Sequence, residues 1–187
     1  SRTPDDMIII LDSVTGKHNL DPYSLNLISN FNNVEINDTE LSKIKIGWLS
    51  DINGNYKFEN EILEICEKKL NELNKHKVKI DFLKPSINTH DLWDSWLIFR
   101  SKSIFMDIES MNIKDINEMT YQAIWEHKKG KNINENDIDI AIEKRKKSIN
   151  DINQIFKDYD FLALPSAQVF PFKKELNYPK KINDFNL

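Results

Sequence analysis

With 187 residues, 40% of them hydrophobic and 30% charged, the chain has material for one domain or for part of a larger one. A net charge of −4 argues against a phosphate-backbone binder, which needs concentrated Lys and Arg, so no nucleic-acid partner is expected. No run of about eighteen apolar residues occurs, so no membrane-spanning helix and no membrane partner are expected.

In chain order, the first expected element is a helix. Thr3 suits its N-cap, Pro4 its first position, and Asp5 and Asp6 favour the positive end of the helix dipole. Met7, Ile8, Leu11 and Val14 recur at helical spacing and Gly16 ends the element. Residues 17–43 form a mostly polar connection with apolar islands at Leu25, Leu27 and Ile28 and at Val34 and Ile36.

Ile44 to Leu49 reads as a strand, and Asn53-Gly54-Asn55 as the connecting turn after it. Glu59 to Asn74 is an amphipathic helix with Ile62, Cys66, Leu70 and Leu73 on one face. Val78 to Phe82 alternates as a second strand. Strand, helix and strand make a βαβ unit, which pairs parallel. Cys66, the single cysteine, is expected as a buried structural thiol; without a partner in the chain it fits a reducing, cytoplasmic setting.

The second half is helical. Thr89 or His90 opens a helix carrying Leu92, Trp93, Trp96, Leu97, Arg100, Ile104 and Phe105. A second helix covers Ile113 to Lys128, with Gly130 as its breaker, and a third covers Asn136 to Lys157. The third carries a stripe of Ile138, Ile142, Ile149, Ile152 and Phe156, and its Lys144 to Lys147 run is read as a solvated face. Helical stripes of this kind are read as core. Phe161 to Leu164 is a short apolar run that reads as a buried strand, stopped by Pro165. Asn177 to Leu187 shows little pattern.

Several constellations invite a chemical reading. His18, His76, His90 and His127 lie far apart without metal-ligand spacing, so no metal site is expected. Ser166 and Gln168 follow a strand end, where open α/β sheets bind ligands, and suit either a site wall or an ordinary loop. Trp93, Trp96, Phe99 and Arg100 form an aromatic helix face. It reads as core packing, with Arg100 in a structural hydrogen bond, or as the wall of a pocket.

Four stretches in one order carry a resemblance. YDFLALPSAQVFPF (Tyr159 to Phe172) resembles the late segment of the amidase signature family, where Tyr-Asp, an apolar strand and a Pro-[Ser/Thr] step lead into a proline-bearing loop. SRTPDDMIIILD (Ser1 to Asp12) resembles the family's Arg-Thr-x-x-Asp helix, and KIKIGWLSD (Lys43 to Asp51) its Lys-Ile-Gly strand. The long helix ending in Tyr159-Asp160 stands in the matching place.

The resemblance implies an α/β class, with part of a mixed sheet covered by helices as in the amidase signature fold. It implies hydrolysis of the C–N bond of a carboxylic amide through a serine acyl-enzyme. The family's Ser–cis-Ser–Lys triad belongs to a Gly- and Ser-rich stretch. Here Gly16, Gly47, Gly54 and Gly130 are scattered and none precedes a serine. Residues 1–187 are therefore read as a partial amidase domain, a central fragment whose catalytic residues lie elsewhere. Trp93, Trp96, Ser166 and Gln168 are the expected substrate-binding positions, with no cofactor. The partner is a small-molecule amide, and a homodimer of the full-length protein is a further expectation. Two other readings stay open: the A subunit of a tRNA-dependent amidotransferase, and a non-enzymatic ligand-binding module.

Overall fold

The computed structural model describes residues 3–26, 38–111, 113 and 115–186, arranged as two compact units, Ser1–Ser42 and Lys43–Leu187. Arg2, Leu27, Ile28, Val34 and Ile36, on which sequence expectations fell, lie outside the described residues.

In the first unit, helix α1 (Pro4–Val14) starts as its sequence dictates. The Thr3 hydroxyl accepts from the Asp6 amide at 3.1 Å, with Pro4 at the first turn and Asp5 and Asp6 beside the helix N-terminus. Its apolar stripe is not core, however. No residue of α1 is buried, and Met7, Leu11 and Val14 stand exposed. Beyond it, Ser24 Oγ accepts from the His18 amide and donates to the Asp21 carbonyl, which closes a small loop. A short helix α2 (Asp38–Leu41) ends this unit's described elements.

The second unit is built on three parallel strands in the order β2-β1-β3: β1 (Lys45–Trp48), β2 (Lys79–Phe82) and β3 (Phe161–Ala163). Helix α3 (Ile62–Asn71), extended by a 3₁₀ turn (Glu72–His76), links β1 to β2 and completes the expected βαβ unit. The return to β3 runs through α4 (Thr89–Ser110), a 3₁₀ turn (Ile116–Glu118), α5 (Tyr121–Lys131) and α6 (Glu135–Ile155). Successive residues of a strand face opposite sides. Trp48, fully buried, donates its indole N–H to Glu67 of α3 at 3.0 Å, so α3 covers its face. Leu83 and Leu162, which flank Gly47, pack instead with Leu92 of α4 and Ile152 and Ile155 of α6 around Leu49, Ile52 and Ile87. The sheet thus lies between α3 on one face and α4 and α6 on the other.

The Tyr-Asp step before β3 fastens the sheet. Asp160 accepts from the Lys45 amide at 2.8 Å and its own amide donates to the Lys45 carbonyl at 2.9 Å. The Tyr159 hydroxyl reaches across to Asp81 of β2 at 3.1 Å. Burial first, and then that aspartate, raise the tyrosine above its ordinary pKa. Strand β3 is not the buried strand its composition suggests. It is an edge strand, and Phe161 and Leu164 are about half exposed. Its outer edge has no partner strand among the described residues.

The helical layer departs from its sequence reading in three ways. The expected helix from Ile113 to Lys128 is two pieces, because two residues cap it. Asp115 accepts from the Asn117 amide at 2.8 Å and starts the 3₁₀ turn, while Thr120 accepts from Ala123 and starts α5. Gly130 does not break α5 but lies inside it, buried. A Cβ there would sit 2.0 Å from the Ser101 carbonyl oxygen and 2.6 Å from Phe105 Cβ. This glycine is what lets α5 touch α4. On α6 the buried residues are Ala141 and Ser148, whereas Ile149 and Phe156 of the expected stripe are exposed. The helix also starts one residue earlier than expected, where Asn134 and Asp137 form a reciprocal capping box.

Residues 181–186 do not trail off. They form a small antiparallel hairpin of β4 (Lys181–Ile182) and β5 (Phe185–Asn186), with Ile182 buried and Asn183 left-handed at φ 50° in the turn. Asn183 donates to the Phe58 carbonyl at 3.0 Å and accepts from the Asn60 amide at 3.3 Å, which ties the hairpin to the loop before α3. Among the described residues no helix is long and apolar enough to cross a membrane.

Candidate functional site

All three strands run parallel, so their carboxyl ends share one edge of the sheet. From β3 the chain passes through buried Pro165 to Ser166, Ala167 and Gln168. Pro165, Ser166, Ala167 and Phe170 form one wall of a cleft of about 190 Å³, and Ile62 and Cys66 of α3 form the other. Cys66 is thus not the fully buried thiol expected; it is partly exposed and faces this cleft. The Ser166 hydroxyl has no hydrogen-bond partner among the described residues and is open to solvent.

Gln168 has a positioning role here. Its side-chain amide donates to the Lys57 carbonyl at 2.7 Å, and its own carbonyl accepts from the Glu59 amide at 2.8 Å. The Glu59 carboxylate in turn accepts from the Phe170 amide at 2.7 Å. These bonds join segments 111 residues apart and set the course of the loop that bears Ser166. No local pattern in the sequence marks Lys57 and Glu59 as partners, since the pairing is made by the parallel sheet.

Trp93 and Trp96 stand elsewhere, one turn apart on α4. Their rings stack with centroids 4.9 Å apart, and both remain about half exposed. The Arg100 guanidinium lies 5.3 Å from the Trp96 ring while its Nε bonds Glu126 at 2.6 Å. Neither tryptophan is buried among the described residues, and Arg100 makes the structural bond expected of it. Neither tryptophan lines the cleft that holds Ser166. The structure brings together Ser166 and the Gln168 loop, and separately Trp93 with Trp96.

Glu126 is a functional-looking carboxylate that sequence reasoning missed. It is buried between α5 and α4, where Ser101 donates to it at 2.7 Å and Arg100 at 2.6 Å. Burial pushes its pKa upward, but the hydrogen bonds from Ser101 and Arg100 outweigh burial and hold it below the ordinary glutamate value. A second cluster joins α4 to α6. Lys144 bonds Asp94 at 2.8 Å and Asp91 at 3.1 Å, so this lysine is not part of a solvated face. Those bonds to the two aspartates raise its pKa. His90 adds a ring nitrogen 3.2 Å from Asp94. The ligating atoms of His90, Asp91 and Asp94 lie within 4.8 Å of one another, which chain spacing of the histidines alone did not reveal. The Lys144 ammonium supplies the positive charge these carboxylates face.

No protein-family model matches the sequence, and no curated protein matches it. The architecture nonetheless defines a class: a parallel α/β sheet between helical layers, with its loops gathered at the strand carboxyl ends. Over 100% of its length the chain is similar, at a TM-score of 0.74 and 16% identity, to the crystal structure of a bacterial aryl acylamidase of the amidase signature family. The chain spans 40% of the length of that solved structure. The α/β fold expected from the four sequence stretches is therefore the fold observed, that of part of an amidase signature enzyme.

Proposed function

We propose that this chain is part of an amidase of the amidase signature type, hydrolysing the C–N bond of a carboxylic amide through a serine acyl-enzyme. The observation that carries the reading is the match of the whole chain to a segment of an aryl acylamidase, together with the order of the four family-like stretches. In this reading the chain supplies scaffold and pocket wall, and the nucleophile and its base lie outside it. Trp93 and Trp96 offer an aromatic surface to the apolar part of an amide. Ser166 lines the strand-end cleft and Gln168 holds the loop that presents it. The edge of β3, without a partner strand among the described residues, and the exposed apolar side chains Phe82, Phe161 and Leu164 support a larger sheet in the working enzyme, for which we propose a cytoplasmic location.

The test has two arms. Purified 187-residue chain incubated with a panel of small amides is expected to release no ammonia above a blank, and release would overturn the assignment of the catalytic residues. The genomic DNA upstream of the Ser1 codon is expected to encode a Gly/Ser-rich serine segment and an earlier lysine. A stop codon directly before Ser1 would sink the amidase reading and favour a ligand-binding module.

A further inference from the structure

The largest of the clefts described lies away from Ser166 and the tryptophans. It opens at the carboxyl ends of β1 and β2, has a volume of about 510 Å³, and is lined by Asn53 and Asn55, by the segment 85–88, and by Lys147 and Asp151 of α6. The topology explains why a crevice forms there. The chain leaves β1 for α3 on one face of the sheet and leaves β2 for α4 on the other, so the two loops diverge at adjacent strand ends. The carboxyl ends of the strands are the edge at which open α/β sheets bind ligands. The volume falls in the range of small-molecule sites, roughly 300–1,000 Å³.

The walls of the cleft are polar, and their bonds leave a defined set of free groups. Asn53 donates to the Pro85 carbonyl at 2.7 Å and Asn55 to the Ile52 carbonyl at 2.6 Å, so both side-chain carbonyl oxygens remain available as acceptors. Asn88 is fully engaged: it accepts from the His90 and Asp91 amides and donates to the Asp91 carboxylate, and acts as wall only. Lys147 and Asp151 stand one helical turn apart and line the same cleft. Neither makes an ion pair or hydrogen bond among the described residues, whereas Lys144, on the same helix, is paired twice. An unpaired ammonium and an unpaired carboxylate on one wall give a simple anion or a simple cation only one favourable contact each. They complement a molecule that carries both charges.

We infer that this cleft binds a short zwitterion, an amino acid whose ammonium and carboxylate are separated by a few methylenes. Its carboxylate meets Lys147. Its ammonium, with three donors, meets Asp151 and the free carbonyl oxygens of Asn53 and Asn55. Side chains at i and i+4 on a helix stand about 5–6 Å apart at Cβ, which favours charges spaced wider than in an α-amino acid. The inference does not rest on amide hydrolysis, because nothing in it requires a nucleophile.

The experiment is an NMR titration of the ¹⁵N-labelled chain with 4-aminobutyrate, with butyrate and butylamine as half-ligands and glycine and β-alanine as shorter zwitterions. The expected result is saturable shifts of the Asn53 and Asn55 side-chain amides. Each half-ligand should bind roughly tenfold more weakly than 4-aminobutyrate, the loss of one charge-assisted contact. Lys147→Ala should weaken 4-aminobutyrate to the level of butylamine and leave butylamine unchanged; Asp151→Asn should do the converse with butyrate. Equal affinity for 4-aminobutyrate, butyrate and butylamine overturns the inference, as does tighter binding of glycine than of 4-aminobutyrate, and so does the absence of shifts up to the solubility limit of 4-aminobutyrate. Should either variant fail to fold, the half-ligand comparison on the unmodified chain decides alone.

Discussion

The two faces of α4 invert the usual rule. Its buried face is made of Ser95, Ser101 and Ile108, and its outer face carries Trp93 and Trp96. The inward serines are small enough for α5 and α6 to come close, and Gly130 of α5 lies directly on the Ser101 carbonyl. Contact with α5 comes here from close backbone approach and from satisfied polar groups, whereas bulk enters at Leu92, near the start of α4, against the core and α6. Large apolar residues are left outside, and in this helix they are the stacked pair Trp93 and Trp96 that we propose as a pocket wall.

That contrast can be broken most severely at Gly130. Gly130→Val forces a side chain onto backbone oxygen, which cannot move as a side chain can. Overpacking of this kind costs about 3 kcal/mol or more, and the expected outcome is a large fall in the denaturation midpoint or failure to fold. Ser101→Leu comes next. It adds volume at a fully buried position and removes a donor from Glu126, for a loss of about 2–3 kcal/mol in a urea melt.

Glu126→Gln is milder, about 1–2 kcal/mol, since the shape is kept and the charge-assisted bonds are lost. It carries a pH signature as well. The folded Glu126 has a lowered pKa, so its contribution is fully present above the ordinary glutamate value and fades as pH falls through the folded value. The stability gap between unmodified chain and variant should therefore close in acid and stay constant from pH 6 to 8, a window above any ordinary glutamate pKa of about 4.3. A gap that widens in acid would reverse the assignment.

Trp96→Ala marks the small end of the series. A half-exposed side chain should cost about 0.5 kcal/mol or a little more, less than the loss of the hydroxyl-bearing Ser101. Were Trp96→Ala the more damaging change, the outer face of α4 would be packing surface after all, and its role as an aromatic wall would lose its footing.

The frame of the fold was open to reading because it rests on strong local signals. Thr3-Pro4 and the strand, helix, strand succession from Ile44 to Phe82 each announce themselves through capping chemistry or periodicity. Long-range facts were hidden. Nothing near Gly130 tells that Ser101 lies on it, and glycine in a helical pattern reads as a stop when its neighbour is unseen. Lys144 sits in a run of lysines, and only the approach of α4 sets it apart from Lys147. The hairpin at 181–186 has two-residue strands, too short for any alternation to show. Of the candidate site residues, Ser166 and Gln168 were singled out by their place after a strand, and that place is the one observed. Lys57 and Glu59, which fix that loop, had no local mark.

The clasp between Lys45 and Asp160 joins positions 115 residues apart. Closing so long a loop is entropically unfavourable before any return is gained, which slows the search for the native pairing. During synthesis β1 and β2 can meet early, yet one flank of the central strand stays unzipped until residues 160–163 have left the ribosome. For that interval the nascent polypeptide exposes a sticky seam, which only the arrival of β3 seals.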